Sequence, residues 1–137
     1  MLHKDAKIEL IRRVPLFSRC SKKDLQAIAS VADELDFREG KVLTKEGSPG
    51  REFFILVEGT ADVRRGGRKL RTLDAGDFFG ELALLTGRPR TATVTTTSPA
   101  RALIVTERSF KNLLRQASQL QARVLEAVVE RLPQESP

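Results

Sequence analysis

The feature that most constrains the fold is a regular series of short turn sequences between residues 33 and 106. They recur roughly every eight to twelve residues and are rich in Gly, Pro, Asp and Ser, so long helices do not fit between them. That spacing is typical of short antiparallel strands that close into a barrel or a sandwich. The turn sequences are REGK, EGSPG, VEGT, RRGGRK, DAGD, TGRP and TSPA.

Three segments between these turns predict individual strands. The run FFILV at 53–57 is apolar throughout, which indicates a buried strand. The glycine pair at 66–67 lies at the centre of RRGGRK, where a two-residue hairpin turn needs positive φ at both positions. The segment TATVTTT alternates, so one strand face is expected to carry Ala92, Val94 and Thr96.

The N-terminal segment, residues 1–32, is predicted to be helical. Its first apolar residues recur at near-helical spacing up to Pro15, which ends that helix. Ser21 is followed three residues later by Asp24, a pairing typical of a capping box, so a second helix is expected to run through about Ser30. The apolar face of this second helix is expected to consist of Leu25, Ile28, Ala29 and Ala32.

A helical pattern returns at residues 107–132, and Pro133 ends it. One helix of this length is long for so small a domain. We therefore expect it either to bend back over the barrel or to use its apolar stripe to meet another chain. The stripe consists of Phe110, Leu113, Leu114, Ala117, Leu120, Val124, Val128 and Leu132.

Composition limits the function classes. With 137 residues, 40% of them hydrophobic, the chain is expected to form one soluble domain without a membrane span. Its net charge of +6 suits nucleic acid, an acidic membrane surface or a phosphate ligand, and does not choose among them. His3 is the only histidine and Cys20 the only cysteine, which argues against a metal site, a disulfide and catalysis. We expect a cytoplasmic protein that is not an enzyme and needs no cofactor.

The stretch from Gly76 to Val94 combines groups that suit an anionic ligand. GELALLTG is predicted to form a short helix that starts directly after Gly80, where backbone amides lack partners and carry partial positive charge. Gly80 has no Cβ, so a ligand can approach its backbone. Arg90 follows, and a guanidinium takes two phosphate oxygens at once. Glu81 repels phosphate, which indicates that it instead accepts a hydrogen bond from a neighbouring sugar hydroxyl.

This stretch resembles a known family. FGELALLTGRPRTATV is similar to the phosphate-binding cassette of cyclic nucleotide-binding domains, which occur in catabolite-activator-type transcription factors, cyclic-nucleotide-dependent kinases and cyclic-nucleotide-gated channels. The resemblance extends through FFILVEGTADV and LDAGDFFGE and covers nearly the whole chain. It implies a mainly β fold, an antiparallel jelly-roll barrel over 33–106 with the cassette at 76–94. N-terminal helices and C-terminal lid helices at 107–132 would flank it, as in a bacterial single-domain member.

The resemblance also implies roles for residues around the phosphate and the sugar. The backbone amides of Gly80, Leu82 and Ala83 would hold the cyclic phosphate. Arg90 would pair with the exocyclic phosphate oxygens, and Glu81 would accept the ribose 2′-hydroxyl. Each side chain has a plainer alternative: Arg90 as a surface ion-pair partner, and Glu81 as an acid stabilised by the start of a helix.

Four further residues are implied around the ligand. Thr91 would touch the phosphate and the base, and Val63 would line the base pocket from the strand facing the cassette. Phe79 belongs to the same ligand-binding set. Arg131 matches a position where some bacterial channel domains place a base-stacking arginine, and its alternative is a solvated cation at a helix end. A threonine after the cassette arginine occurs with either nucleotide; cAMP is the expected ligand, and cGMP stays open.

Together these expectations describe a regulatory module that senses cAMP, or cGMP, and transmits binding by movement of its C-terminal helices. We expect no DNA-binding domain in these residues, so the partner would be an effector domain outside the chain or a second copy bound through the C-terminal helix. Two alternatives stay open: a basic domain that binds nucleic acid, and a scaffold of the same fold that binds no nucleotide. The sequence does not separate a stand-alone protein from an excised regulatory domain.

Overall fold

The computed structural model describes residues 2–81, 83–86 and 88–131, and for residues 83, 85, 130 and 131 it describes the backbone alone. The helices are α1 (Lys4–Arg12), α2 (Lys22–Ser30), α3 (Ala83–Thr86), α4 (Glu107–Gln116) and α5 (Ser118–Arg131), with a 3-10 turn at Pro15–Phe17. The strands are β1 (Asp33–Phe37), β2 (Val42–Thr44), β3 (Glu52–Glu58), β4 (Ala61–Arg65), β5 (Arg68–Leu73), β6 (Phe78–Phe79), β7 (Thr93–Thr96) and β8 (Ala100–Thr106).

The eight strands form two antiparallel sheets that face each other. Their orders are β1-β8-β3-β6 and β2-β7-β4-β5, so consecutive strands alternate between the sheets except at the β4–β5 hairpin. This is the predicted jelly-roll barrel. The hairpin turns at Gly66 and Gly67, whose φ angles of +58° and +79° confirm the predicted two-residue turn.

The first sheet is covered on both faces, which explains the uninterrupted apolar run in β3. Phe54 and Leu56 point into the barrel, whereas Phe53 and Ile55 contact the helices. The barrel interior consists of Phe54, Leu56, Ala61, Val63, Leu73, Phe79, Val94, Ala100, Ala102 and Ile104. The helical cluster, on the outer face, consists of Ile8, Ile11, Val14, Leu16, Phe17, Leu25, Ile28, Ala29, Ala32, Phe53, Ile55, Leu84, Leu103, Val105, Phe110, Leu120 and Val124.

The start of α2 confirms the predicted capping box. The Ser21 hydroxyl accepts a hydrogen bond from the backbone amide of Asp24 at 3.2 Å, and the Asp24 carboxylate accepts one from the Ser21 amide at 2.9 Å. Two amides that the helix leaves without partners are thereby satisfied. All four residues predicted for this apolar face are buried: Leu25, Ile28 and Ala29 lie in α2, and Ala32 lies two residues beyond its end.

The C-terminal region departs from the single helix that the periodicity predicts. It forms two helices, because Ala117 adopts non-helical backbone angles (φ −132°, ψ 89°) that interrupt the hydrogen-bond ladder. α5 then turns back to pack against the 3-10 turn and α4. This matches the expected bend of the C-terminal segment. However, α5 packs on the N-terminal 3-10 turn, whereas the prediction had it fold back over the barrel. Leu132 and Pro133 lie outside the described residues.

The described part of the cassette helix is Ala83–Thr86. Glu81, predicted as the first residue of this helix, lies in a turn instead. The positive φ of Gly80, +84°, turns the chain at the end of β6.

Candidate functional site

The turn DAGD fixes the start of the cassette against the first sheet. The backbone amide of Gly76 donates to the Leu56 carbonyl at 2.7 Å, and the Leu56 amide donates to the Asp77 carbonyl at 2.8 Å. β6 then pairs with β3, and the ring of Phe79 stacks on that of Phe54 with 4.7 Å between centroids. Gly80 is therefore held at the rim of the barrel interior.

Arg90 lies directly over the backbone of Gly80. Its Nη2 donates to the carbonyl oxygen of Glu52 at 2.5 Å. A Cβ built on Gly80 would meet Arg90 Nη1 well inside any real contact distance and would lie 3.0 Å from the Glu52 oxygen. Only glycine fits beneath the guanidinium, both for space and because φ is +84°. The predicted pair, a bare backbone and a guanidinium, is thus brought together.

A loop between β2 and β3 fixes the backbone of Arg90. The Arg90 amide donates to the Ser48 carbonyl at 2.8 Å, and the Gly47 amide donates to the Arg90 carbonyl at 2.9 Å. Next to these bonds, Pro49 and Pro89 form an isolated antiparallel bridge. The guanidinium therefore extends from a backbone that is fixed on both sides.

Arg90 differs from an exposed surface arginine because its guanidinium is partly buried. Partial burial lowers the pKa of its guanidinium, and the nearby Glu52 carboxylate opposes that effect. An arginine stays protonated in any protein environment, so the consequence is a partly desolvated positive charge. Such a charge attracts an anion more strongly than a hydrated one, because fewer waters must be displaced.

An open cleft of about 240 Å³ lies beside this guanidinium. Its wall is formed by β2, the following loop and the start of β3, and it is mainly polar. The lining residues are Val42, Leu43, Thr44, Lys45, Ser48, Pro49, Glu52 and Arg90.

The structure places the other cassette residues along the same turn. Glu81 is half-buried in the turn, and its carbonyl accepts a hydrogen bond from the Leu84 amide at 3.3 Å. The backbone of Ala83 begins α3. Leu82, expected to contribute an amide, lies outside the described residues.

Val63 and Phe79 both belong to the barrel interior, 7% and 9% exposed. Val63 pairs with Val94 on β7, the strand in which the cassette ends. Thr91 is different: it is exposed, and its carbonyl accepts a hydrogen bond from Arg65 Nε at 2.9 Å. The site thus has a polar rim and an apolar floor.

Arg131, the expected lid residue, ends α5, but its side chain lies outside the described part of the chain. The described part of α5 packs with the helical cluster through Leu120 and Val124. The lid role remains a prediction.

The sequence patterns did not indicate three groups that build the site. Glu52 and Ser48 act through backbone carbonyls, which any residue provides, so no side-chain pattern marks them. Arg65 lies in a hairpin tip whose charges suggest only a solvated turn, yet it ties that tip to the residue after Arg90. The turn sequence EGSPG was the one available signal, since its Gly and Pro bring the loop close to Arg90.

A match to a family model identifies the family to which this fold belongs. Residues 34–117 match the family described as the cyclic nucleotide-binding domain. The chain belongs to this family. The match spans β1 to α4 and includes the whole cassette, so the barrel and the Gly80–Arg90 site are parts of a cyclic nucleotide-binding domain.

Curated relatives include regulatory subunits of cAMP-dependent protein kinase and a cGMP-dependent protein kinase. The cAMP-dependent protein kinase regulatory subunit of Mycosarcoma maydis is 45% identical over 113 residues, covering 74% of this chain and 21% of that protein. The corresponding subunit of Dictyostelium discoideum is 30% identical over 126 residues, covering 86% and 38%. The cGMP-dependent protein kinase of Toxoplasma gondii is 36% identical over 102 residues, covering 74% and 10%. The chain spans well under half the length of these relatives.

Solved structures agree with the fold. The N-terminal domain of a transcriptional regulator from Streptomyces coelicolor A3(2) superposes with a TM-score of 0.82 at 27% identity, covering 91% of this chain and 93% of that one. The cAMP-bound PfPKA-R has a TM-score of 0.69 at 26% identity, covering 90% of this chain and 46% of that one. In the described part of the chain, every helix is too short or too polar to cross a membrane.

Proposed function

We propose that this domain binds cAMP at the Gly80–Arg90 site and acts as a regulatory module. The observation that carries the proposal is the partly buried guanidinium of Arg90 held over the bare backbone of Gly80. This arrangement suits the single negative charge of a cyclic phosphate diester. The names of several relatives support the choice of cAMP, since they are cAMP-dependent kinase subunits.

The other residues of the site are assigned to the phosphate, the ribose and the base of the nucleotide. The backbone amides of Gly80, Leu82 and Ala83 would hold the phosphate with Arg90, and Glu81 would accept the ribose 2′-hydroxyl. Thr91 at the rim would reach the phosphate and the base. Two residues of the barrel interior, Val63 and Phe79, would contact the apolar parts of the nucleotide. Arg131 would close over the base.

Two contacts offer a route from this site to the C-terminal helices. Leu84, in the cassette helix, is fully buried in the helical cluster together with Phe110 of α4. On the other side, the amide of Glu107, the first residue of α4, donates to the Arg51 carbonyl at 2.7 Å, next to the Glu52 carbonyl that holds Arg90. A ligand that shifts the cassette would therefore shift the base of α4, and the break at Ala117 would let α5 follow.

A thermal-shift titration tests ligand binding directly. A ligand present at a hundred times its Kd stabilises the folded state by about 2.7 kcal/mol. For a domain of this size that corresponds to a rise in Tm of roughly 8 °C. We expect this rise with cAMP and a much smaller one with 5′-AMP, which lacks the cyclic diester. Equal small shifts with both would favour a scaffold that binds no nucleotide.

A second candidate ligand is cGMP, and a specific observation favours it. The register pairs Arg71 of β5 with Val63, so the two side chains project from the same face of the sheet. Directly opposed residues have Cβ atoms about 5 Å apart, which is within reach of a long side chain. A guanidinium pairs with the O6 and N7 acceptors of guanine, whereas adenine offers a donor at N6 in place of O6.

The affinity ratio of the two nucleotides tests this second candidate. Arg71→Ala is expected to weaken cGMP binding about tenfold and to leave cAMP binding within twofold. The matched control is Arg68→Ala, which removes a neighbouring cation at the hairpin tip. If both variants change cGMP affinity equally, the effect is the general charge of the hairpin and Arg71 does not read the base.

A further inference from the structure

An ion pair connects α5 to the beginning of α2. Arg123 Nη1 lies 2.8 Å from Asp24 Oδ2, and the two residues are 99 positions apart in the chain. The side chain of Asp24 is 10% exposed and that of Arg123 is 31% exposed. A pair this well covered is more than a solvated surface contact, and removal of one partner leaves the other charge partly buried.

Asp24 serves two elements with one carboxylate. The Oδ2 atom that contacts Arg123 also accepts the hydrogen bond from the Ser21 amide at 2.9 Å, which completes the capping box of α2. The carboxylate is therefore held by the helix start independently of its contact with α5. A fixed acceptor costs little conformational entropy when Arg123 binds to it, which strengthens the pair.

The contacts around this pair set the position of α5. Leu120 and Val124 flank Arg123 along the helix and are buried in the helical cluster, whereas Leu125 and Val129 on the opposite face are exposed. The connection at Ala117 is a single residue in a non-helical conformation, so α5 can rotate away without unwinding α4.

We propose that the Asp24–Arg123 pair is a latch that holds α5 on the N-terminal helices and opposes its movement toward the barrel. The inference rests on the proposed function in one respect, that bound nucleotide shifts the C-terminal helices. A contact that must break when ligand binds lowers the apparent affinity by the free energy of breaking it. Removing the latch therefore strengthens nucleotide binding.

The first test measures affinity by calorimetry with cAMP and with cGMP. Arg123→Gln is expected to bind nucleotide about fivefold more tightly than the parent, and Arg123→Lys, which keeps the charge, less than twofold more tightly. The matched control is Arg115→Gln, which removes an exposed arginine of α4. Asp24→Asn keeps an oxygen for the Ser21 amide and should reproduce the effect, with no further gain in the double variant. Unchanged or weaker binding in Arg123→Gln overturns the latch.

The second test needs no ligand and uses the only cysteine of the chain. Cys20 is half-buried against the helical cluster, and burial, together with the Asp24 charge, raises the pKa of its thiol to about 12. Because the thiolate is the reactive form, alkylation at pH 8 is slow while the thiol stays buried. The charge of Arg123 acts on this thiol, so Cys20 lies close enough to α5 to respond to its release. In Arg123→Gln we expect alkylation about five times faster. Loss of the Arg123 charge alone would raise the thiol pKa and slow alkylation, since that charge lowers the pKa of Cys20.

The two tests separate the latch from the proposed function. If neither nucleotide binds to the parent chain, the proposed function fails, and the alkylation rate still decides whether the pair holds α5. If nucleotide binds but alkylation and affinity in Arg123→Gln equal those of the parent and of Arg115→Gln, the latch is refuted and nucleotide binding stands. Circular dichroism of each variant checks that it is folded. If Arg123→Gln is unfolded, the comparison of Asp24→Asn with the parent decides in its place.

Discussion

Replacing Gly80 with alanine tests whether the bare backbone beneath Arg90 is the centre of the site. Gly80 has φ +84°, a conformation that costs an L-residue about 1–2 kcal/mol. The new Cβ also lies 3.0 Å from the Glu52 carbonyl oxygen and overlaps Arg90 Nη1. The guanidinium must then leave its charge-assisted hydrogen bond with that carbonyl, which contributes about 1.5–3 kcal/mol.

The chain provides a matched control for the free-energy cost of placing alanine at a positive φ. Gly40 has the same φ of +84°, but a Cβ built on it has nothing within 4 Å. Gly40→Ala should therefore lower the free energy of unfolding by about 1–2 kcal/mol through backbone strain alone. Gly80→Ala should lower it by about 2.5–5 kcal/mol, because displacement of Arg90 adds to the same strain.

Two assays measure these differences. Urea denaturation of both variants gives the free energies of unfolding, and calorimetry with cAMP gives the affinities. We expect Gly80→Ala to weaken binding by at least tenfold, which is about 1.4 kcal/mol, and Gly40→Ala to leave it within twofold. Equal losses of stability and unchanged affinity in both variants would refute the reasoning, since the contact with Arg90 would then have no energetic consequence.

Three further predictions address other parts of the account. Glu81→Gln should weaken binding of cAMP about tenfold in calorimetry and leave the 2′-deoxy analogue unchanged; equal losses for both would remove the ribose role. Truncation after Gln119 should leave the barrel folded by circular dichroism and accelerate ligand release in stopped-flow measurements, whereas an unchanged off-rate would remove the lid. Ser21→Ala should lower the free energy of unfolding by about 1 kcal/mol through loss of the capping box, and the matched control Ser30→Ala, at an exposed position, should change it by less than about 0.5 kcal/mol.

Local chemistry made much of the fold predictable. The glycine pair at 66–67 and the Ser21–Asp24 capping box act over a few residues, so sequence alone identified both. The alternation of side chains around Val94 also predicted the buried face of β7, because one face of this strand contacts the barrel interior. The glycine before the cassette helix and the arginine after it were expected to act together, and the fold brings them into contact; their role in binding stays a prediction.

The remaining features depend on contacts that sequence patterns do not encode. Ala117 interrupts the C-terminal helix although alanine has the highest helix propensity, because tertiary packing of α5 outweighs propensity. The carbonyl of Glu52 holds Arg90 through the backbone, which carries no residue signature. The Asp24–Arg123 pair joins positions 99 residues apart, and only the folded chain brings them together.

The most direct test of the account is calorimetry of the parent chain and two variants at Arg90 with cAMP and with cGMP. We predict that the parent binds at least one of the two nucleotides, and that Arg90→Ala weakens this binding by about 2–4 kcal/mol, with Arg90→Lys recovering only part. Arg88→Ala, at an exposed neighbouring position, should bind like the parent. Binding by Arg90→Ala within threefold of the parent would contradict the claim that this guanidinium holds the cyclic phosphate.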